Sequence, residues 1–267
     1  KDFWGFETVT AEYADKSTKV TTYKNTAYYS KGMVKSVATR APDGTELARQ
    51  DNEIDAEPYA RVVAESRTKS EGTGNSIKTR IEYTYGDSYG NITTVRDCGG
   101  TLNDESDDVT AIITYWDNYD KCLHNHPKSL NVSAGTTRYR EASYNDFGNI
   151  IYLKQKTGTD DFLETWLEWD EYGNLTAMKG VNGDRTEYTY DTDYNQYVVN
   201  IGRSAPGISA YISSIDWDIP SGLKKTETDE NGNTMRYEYD DFLRLDKVWS
   251  PYDQDATAAV SYKYVTP

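Results

Sequence analysis

The chain is short of what a thick apolar core is made from. Its 267 residues include only five Phe and three Met, and the hydrophobic fraction of 36% lies below the roughly 45–50% usual for globular domains. No run of apolar residues is long enough to cross a bilayer. Basic residues are outnumbered, 29 Lys and Arg against 44 Asp and Glu, for a net charge of −15. That balance argues against nucleic acid, whose binding needs phosphate neutralisation, and against an anionic membrane surface. The charge itself reads as solubility. Cysteine is reduced to Cys98 and Cys122, which could pair or be free and which fix no compartment. Lys1-Asp2-Phe3-Trp4 lacks the charged, apolar, small-residue order of a signal peptide. Helix signals are scarce as well. Residues 56–66 come closest to helical spacing and also read as strand. No Pro/Ser-rich linker divides the chain.

Tyrosine is what the chain has in excess, 24 residues. Its ring packs while its hydroxyl must reach water or a partner, so the excess points to half-buried surfaces. Tyr, Thr and Val favour strands, and the aromatic content argues against disorder.

The aromatics recur. The clearest unit is Arg236-Tyr237-Glu238-Tyr239-Asp240-Asp241-Phe242-Leu243-Arg244-Leu245, preceded by Thr228-Asp229-Glu230-Asn231-Gly232-Asn233. Related stretches are Tyr83-Thr84-Tyr85 leading to Tyr89-Gly90-Asn91-Ile92, then Tyr144 leading to Phe147-Gly148-Asn149-Ile150. Trp169 leads to Tyr172-Gly173-Asn174-Leu175, and Tyr188-Thr189-Tyr190-Asp191, Asp216-Trp217 and Tyr262-Lys263-Tyr264 continue the series. Anchors at 144, 169, 190, 217, 239 and 264 lie in the low to middle twenties apart, which fits one strand–turn–strand unit per repeat. In Tyr-x-Tyr both rings fall on one face of a strand, with a polar residue between them facing the other way. Gly-Asn then supplies a turn tolerant of positive φ, and Ile92, Ile150 or Leu175 opens the return strand. The expected fold is all-β: stacked antiparallel hairpins, Tyr laid on Tyr across strands, in a curved, solenoid-like sheet. The first seventy residues repeat less plainly, although Gly32–Val37 and Asp43-Gly44-Thr45-Glu46-Leu47 still read as strand, turn, strand. Polar stretches at 70–76 and 102–108 read as loops.

These residues resemble the Rhs/YD-repeat family: bacterial polymorphic-toxin shells, the B and C components of insecticidal toxin complexes, and teneurins. Asp229-Glu230-Asn231-Gly232-Asn233-Thr234, then Tyr237-Glu238-Tyr239-Asp240 and Leu243-Arg244-Leu245, is similar to the family's Asp-x-Asn-Gly-Asn-x…Tyr-x-Tyr-Asp-x-x-Gly-Arg-Leu signature, with Leu243 where Gly is usual. Trp4-Gly5-Phe6-Glu7-Thr8-Val9, the Asp43-Gly44 turn, and Cys122-Leu123 ahead of Pro127 also look like toxin-complex relatives. The resemblance divides the chain into divergent N-terminal strands over 1–76 and YD-type hairpin repeats over 77–267, clearest at 139–267. It implies a hollow-shell wall that helps enclose a C-terminal toxin or other cargo, in a secreted or cell-surface bacterial protein. Its partners would be the other repeats of a larger polypeptide and an enclosed cargo. The alternative is an adhesive module binding glycan or a protein receptor. The family's paired-Asp self-cleavage core is not matched, since no Asp-Pro-x-Gly follows the last repeat.

Other constellations read as structure. His124-Asn125-His126 beside Cys122 could face a metal if the segment were a strand, but Pro127 points to a surface loop. Asp191-x-Asp193-x-Asn195 resembles the start of a calcium loop, yet Gly202 stands where the twelfth-position Glu belongs. Acidic pairs such as Asp160-Asp161 and Asp240-Asp241 carry no information on the spacing that glycosidase chemistry needs. The expectation is a protein that is not an enzyme, with no cofactor, no metal and no membrane insertion.

Overall fold

The computed structural model describes residues 5–55, 59–70, 76–100, 105–159, 161–253 and 257–265. The chain forms two units, Lys1–Arg140 and Glu141–Pro267. The first holds β1 (Thr8–Glu12), β2 (Thr18–Lys24), β3 (Met33–Arg40), β4 (Glu46–Asp55), β5 (Arg61–Ser70), β6 (Ser76–Tyr85), β7 (Ile92–Asp97), β8 (Val109–Asn118) and β9 (Leu123–Ala134). Strand β10 (Thr136–Tyr144) runs from the first unit into the second. The second unit continues with β11 (Ile150–Lys156), β12 (Phe162–Trp169), β13 (Leu175–Gly180), β14 (Arg185–Tyr190) and β15 (Val198–Ala205). It ends with β16 (Ile208–Asp218), β17 (Leu223–Thr228), β18 (Thr234–Tyr239), β19 (Leu245–Trp249) and β20 (Val260–Ser261). Among the described residues the only helical elements are single 3-10 turns at Tyr28–Ser30, Glu105–Asp107 and Tyr119–Lys121.

The all-β array expected from the sequence forms. In the first unit each strand from β1 to β9 pairs antiparallel with the next. In the second the same holds from β11 to β20. Anchors Trp169, Tyr190, Trp217 and Tyr239 therefore stand on successive hairpins, as expected. Alternation holds too: Tyr83, Tyr85, Tyr188, Tyr190, Tyr237 and Tyr239 are half-buried, while Thr84, Thr189 and Glu238 between them are exposed.

The repeat also contains a device that period-two reasoning passes over. Thr84 pairs with Thr94 but Tyr85 pairs with Ile92, so Thr93 is an extra residue. The same one-residue bulge recurs at Trp169, Tyr190, Trp217 and Tyr239. A bulge raises the local twist and re-aims the side chain opposite it; here the re-aimed group is the anchor ring.

Each unit's strands form a single layer, so little is fully covered. Among the described residues the buried apolar ones are Ala38, Ala64 and Cys98 in the first unit and Ala142, Ala177 and Trp249 in the second. Only Trp249 among them is large. The thin core agrees with a chain poor in Phe and Met. The Asp43-Gly44 turn lies between β3 and β4 as expected. The Trp4 position, residues 56–58 of the ambiguous 56–66 segment, 71–75 and 102–104 of the expected loops, and Asp160 lie outside the described residues. The remainder, 61–66, is in β5.

Candidate functional site

The repeat motif organises both units, and its turn is built on one carboxylate or amide. Asp170 Oδ1 accepts the backbone N–H groups of Tyr172 and Asn174, and the Asn174 amide donates to Asp170 Oδ2. Asp87 does the same for Tyr89 and Asn91, and Asn145 Oδ1 accepts the backbone N–H groups of Phe147 and Asn149. Gly90, Gly148 and Gly173, fourth in these turns, have φ between +82° and +86°, the left-handed region that a Cβ disfavours. Asp87 and Asp170 are held below the usual carboxylate range by the bonds their turns donate, against a desolvation that pushes the other way. Asn91 and Asn174 also reach the next hairpin, donating to the carbonyls of His124 and Asn195. Gly232 and Asn233 form the same turn on Asp229, but between β17 and β18, at the opposite end of the strands from Gly173 and Asn174.

The anchors fasten hairpin to hairpin through a polar atom. Tyr85 Oη donates to the carbonyl of Val62 at 2.8 Å, and Tyr115 Oη to that of Ile92 at 2.8 Å. In the second unit Trp169 Nε1 donates to Ile150, Tyr190 Oη to Leu175, Trp217 Nε1 to Val198 and Tyr239 Oη to Lys224, at 2.7–3.0 Å. Each acceptor lies at or beside the start of the neighbouring strand. Tyr83, Tyr188 and Tyr237 share the face of these anchors, and Tyr144 ends β10. Burial pushes the Tyr85, Tyr115 and Tyr190 hydroxyls up. The expected ladder of ring on ring is thereby corrected. At Trp169, Tyr190, Trp217 and Tyr239 the bulge turns the ring toward backbone, and ring contacts fall on other pairs, as between Tyr197 and Trp217 and between Tyr152 and Trp166.

The opposite face carries ion pairs that the sequence did not disclose. Arg80 grips Glu53 in a two-pronged pair at 2.7 and 2.9 Å and turns its Nε to Glu82 at 2.8 Å. Glu53 on β4 and Glu82 on β6 both register with Ala64 of β5, so the guanidinium passes over that buried alanine. The second unit repeats the device: Arg185 grips Glu168 at 2.7 and 2.8 Å and Glu187 at 2.9 Å, over Ala177. The Arg80 and Arg185 hydrogen bonds hold Glu53 and Glu168 below their usual range. The available signal was the Arg two residues ahead of Glu-Tyr-Thr-Tyr, present at 80 and again at 185.

The histidine reading is corrected. His124 and His126 lie in β9, and Pro127 sits opposite Tyr115 at a bulge, where a missing N–H is tolerated. The His124 ring stacks on Tyr89 at 3.8 Å and 4° and is bonded through Nδ1 to Asp117. His126 meets the edge of Trp116. Asp191 accepts four backbone N–H groups, from Asp193, Tyr194, Gln196 and Tyr197, which bring its pKa down to about 2. It is a turn anchor. Cys98 and Cys122 are free thiols, Cys98 buried. Among the described residues no three His, Cys, Asp or Glu side chains are grouped to hold a metal, and no helix is long and apolar enough to cross a membrane.

No family model and no curated protein sequence matches the chain. Solved structures do. The chain is similar to part of a chain in the crystal structure of TcdB2–TccC3–Cdc42, with TM-score 0.53 and 12% identity over 91% of its own length and 13% of that chain. It is also similar, with TM-score 0.40 and 13% identity, to part of a Photorhabdus luminescens Tc holotoxin pore, over 96% of its length and 17% of that chain. The chain thus spans a small part of the proteins it matches, and the likeness to the first is one of fold: consecutive antiparallel hairpins of the kind found in a Tc toxin component.

Proposed function

We propose that the chain is a wall segment of a larger Rhs/YD-repeat protein, secreted or presented at the bacterial surface, that helps enclose a toxin or other cargo polypeptide. The observation that carries this reading is the anchor bond. Between β5 and β8 and between β11 and β18, hairpins are tied to their neighbours by a Tyr or Trp donor on a backbone carbonyl, within a layer that has almost no core of its own. A sheet fastened in this way extends by adding hairpins and closes off volume without needing a second layer. The role is mechanical and not enzymatic. The fold likeness to a Tc toxin component supports the reading.

The test is limited proteolysis of the intact polypeptide that carries this chain. The wall reading expects a cargo segment that resists cleavage natively and becomes sensitive once the anchors Trp169 and Trp217 are replaced by Ala. A polypeptide in which every segment outside the repeats is cut at once, and which adheres to a cell surface, would favour the adhesive alternative.

A further inference from the structure

The turns opening β11, β13 and β15 each lift an aromatic ring clear of the sheet. Phe147 is 76% exposed, Tyr172 62% and Tyr194 61%. Because β12 and β14 are antiparallel to their neighbours, the three turns lie on one rim of the unit. They are two strand spacings apart, roughly 9.5 Å. Immediately before each ring stands an exposed carboxylate, Asp146, Glu171 or Asp193. Among the described residues none of the three is in an ion pair.

The fifth turn of this rim, beyond the ringless turn between β16 and β17, carries a cation of its own. At the start of β19, Arg244 lies 4.1 Å over the Tyr264 ring and 5.2 Å over the Phe242 ring, and pairs at 2.7 Å with Asp240, the first residue of the turn. Asn149 and Asn174 occupy the place of Arg244 in the first two turns, and residues 191–197 include no Lys or Arg. The first three tips thus present an exposed ring with an exposed carboxylate immediately before it, and no Lys or Arg at the place that Arg244 takes in the fifth turn. A guanidinium satisfies both groups at once, the ring face through its quadrupole and the carboxylate through its fork of donors.

We infer that this rim binds an extended cationic peptide in polyproline II conformation, with Arg at every third position. That helix has three residues per turn and rises ~3.1 Å per residue, about 9.3 Å per turn, so every third side chain on one face meets the next tip in register. A fully extended strand would turn alternate residues of that spacing away. The inference does not rest on the wall reading.

The measurement is fluorescence anisotropy of a labelled 15-residue Arg-Pro-Pro repeat peptide titrated with the whole chain. Three comparison probes are the same residues in shuffled order, a Glu-Pro-Pro repeat and a chitosan oligomer. We expect binding that salt weakens and that the variant Asp146→Asn/Glu171→Gln/Asp193→Asn reduces at least about tenfold, with the shuffled peptide bound more weakly. The ring variant Phe147→Ala/Tyr172→Ala/Tyr194→Ala should show the same loss, and circular dichroism establishes that each variant is folded. If one variant fails to fold, the other reads the same site. Equal binding of the shuffled peptide would reduce the effect to net charge and overturn the inference. So would equal binding by a folded variant, or binding of chitosan with none of the peptide.

Discussion

The indole Nε1 of Trp169 donates a 2.7 Å hydrogen bond to the carbonyl oxygen of Ile150, the first residue of β11. That carbonyl lies beside a turn, where the strand ladder leaves backbone groups to be satisfied otherwise. The ring supplies packing and the N–H supplies direction. Trp169→Phe keeps most of the ring and removes the donor, and should cost about 1 kcal/mol. Trp169→Ala should cost roughly 3 kcal/mol. Urea melts of both variants would check this. A Phe variant as stable as the parent would mean that the ring alone fastens the hairpins.

Leu243 has φ of +61°, in the turn position that Gly148 and Gly173 fill elsewhere, and its side chain is largely exposed. A Cβ there costs about 1–2 kcal/mol, and exposed atoms return little of it. Leu243→Gly should therefore raise stability by about 1 kcal/mol despite the added freedom of the unfolded chain. Leu243→Ala, which keeps the Cβ, should change it by less than about 0.5 kcal/mol. Denaturant midpoints that rank Ala above Gly would contradict this account.

Asp191 makes stability depend on acid in a definite sense. Its folded pKa of about 2 lies below its ordinary 3.8, so between those values the unfolded chain binds more protons and stability rises with pH. The contribution is complete above the ordinary value and is lost as pH falls through 2. The melting temperature of Asp191→Asn should lie furthest below the parent's near neutral pH, and the gap should narrow below pH 3.8. A constant gap would show that the amide disturbs the turn's geometry and that the charge of Asp191 contributes nothing.

His124 is stacked on Tyr89 and bonded to Asp117, so it should not behave as a loop residue. His124→Ala should cost roughly 1 kcal/mol, and zinc should leave the melting temperature unmoved, since a ligand of the folded state alone would raise it. A zinc-dependent rise lost in the variant would assign a metal to β9.

The strands and turns were legible because their signals are local. Tyr237-Glu238-Tyr239 declares its faces within three residues, and Gly173-Asn174 declares its turn within two. The bulge at Thr93 was not legible, since one extra residue leaves the alternation on β6 intact and shows only in the pairing. Arg80 and Glu53 are 27 residues apart, and no pattern within a hairpin joins them. His124 was misread because Pro127 marks a turn in most contexts, and only its pairing with Tyr115 shows a bulge. The rim rings carry no such signal, because Phe147, Tyr172 and Tyr194 stand in turns, outside the period-two alternation.

The clamps over Ala64 and Ala177 allow one experiment to be done twice in one molecule. Side chains of Arg185 and Glu168 are 29% and 58% exposed, and those of Arg80 and Glu53 25% and 59%. Solvent screens such pairs, so a double-mutant cycle of Arg185→Gln with Glu168→Gln should return a coupling of only about 0.5–1 kcal/mol. Glu168's folded pKa lies below its ordinary 4.5, chiefly through the Arg185 hydrogen bond. The coupling should therefore be full above pH 4.5 and fade as pH falls below it. The Arg80→Gln and Glu53→Gln cycle should give the same size and the same pH trend, because the geometry is the same to within 0.1 Å. A coupling that survives unchanged at pH 3 in both cycles would mean that the arginine stems covering the two alanines, and not the charges, hold the three strands in register.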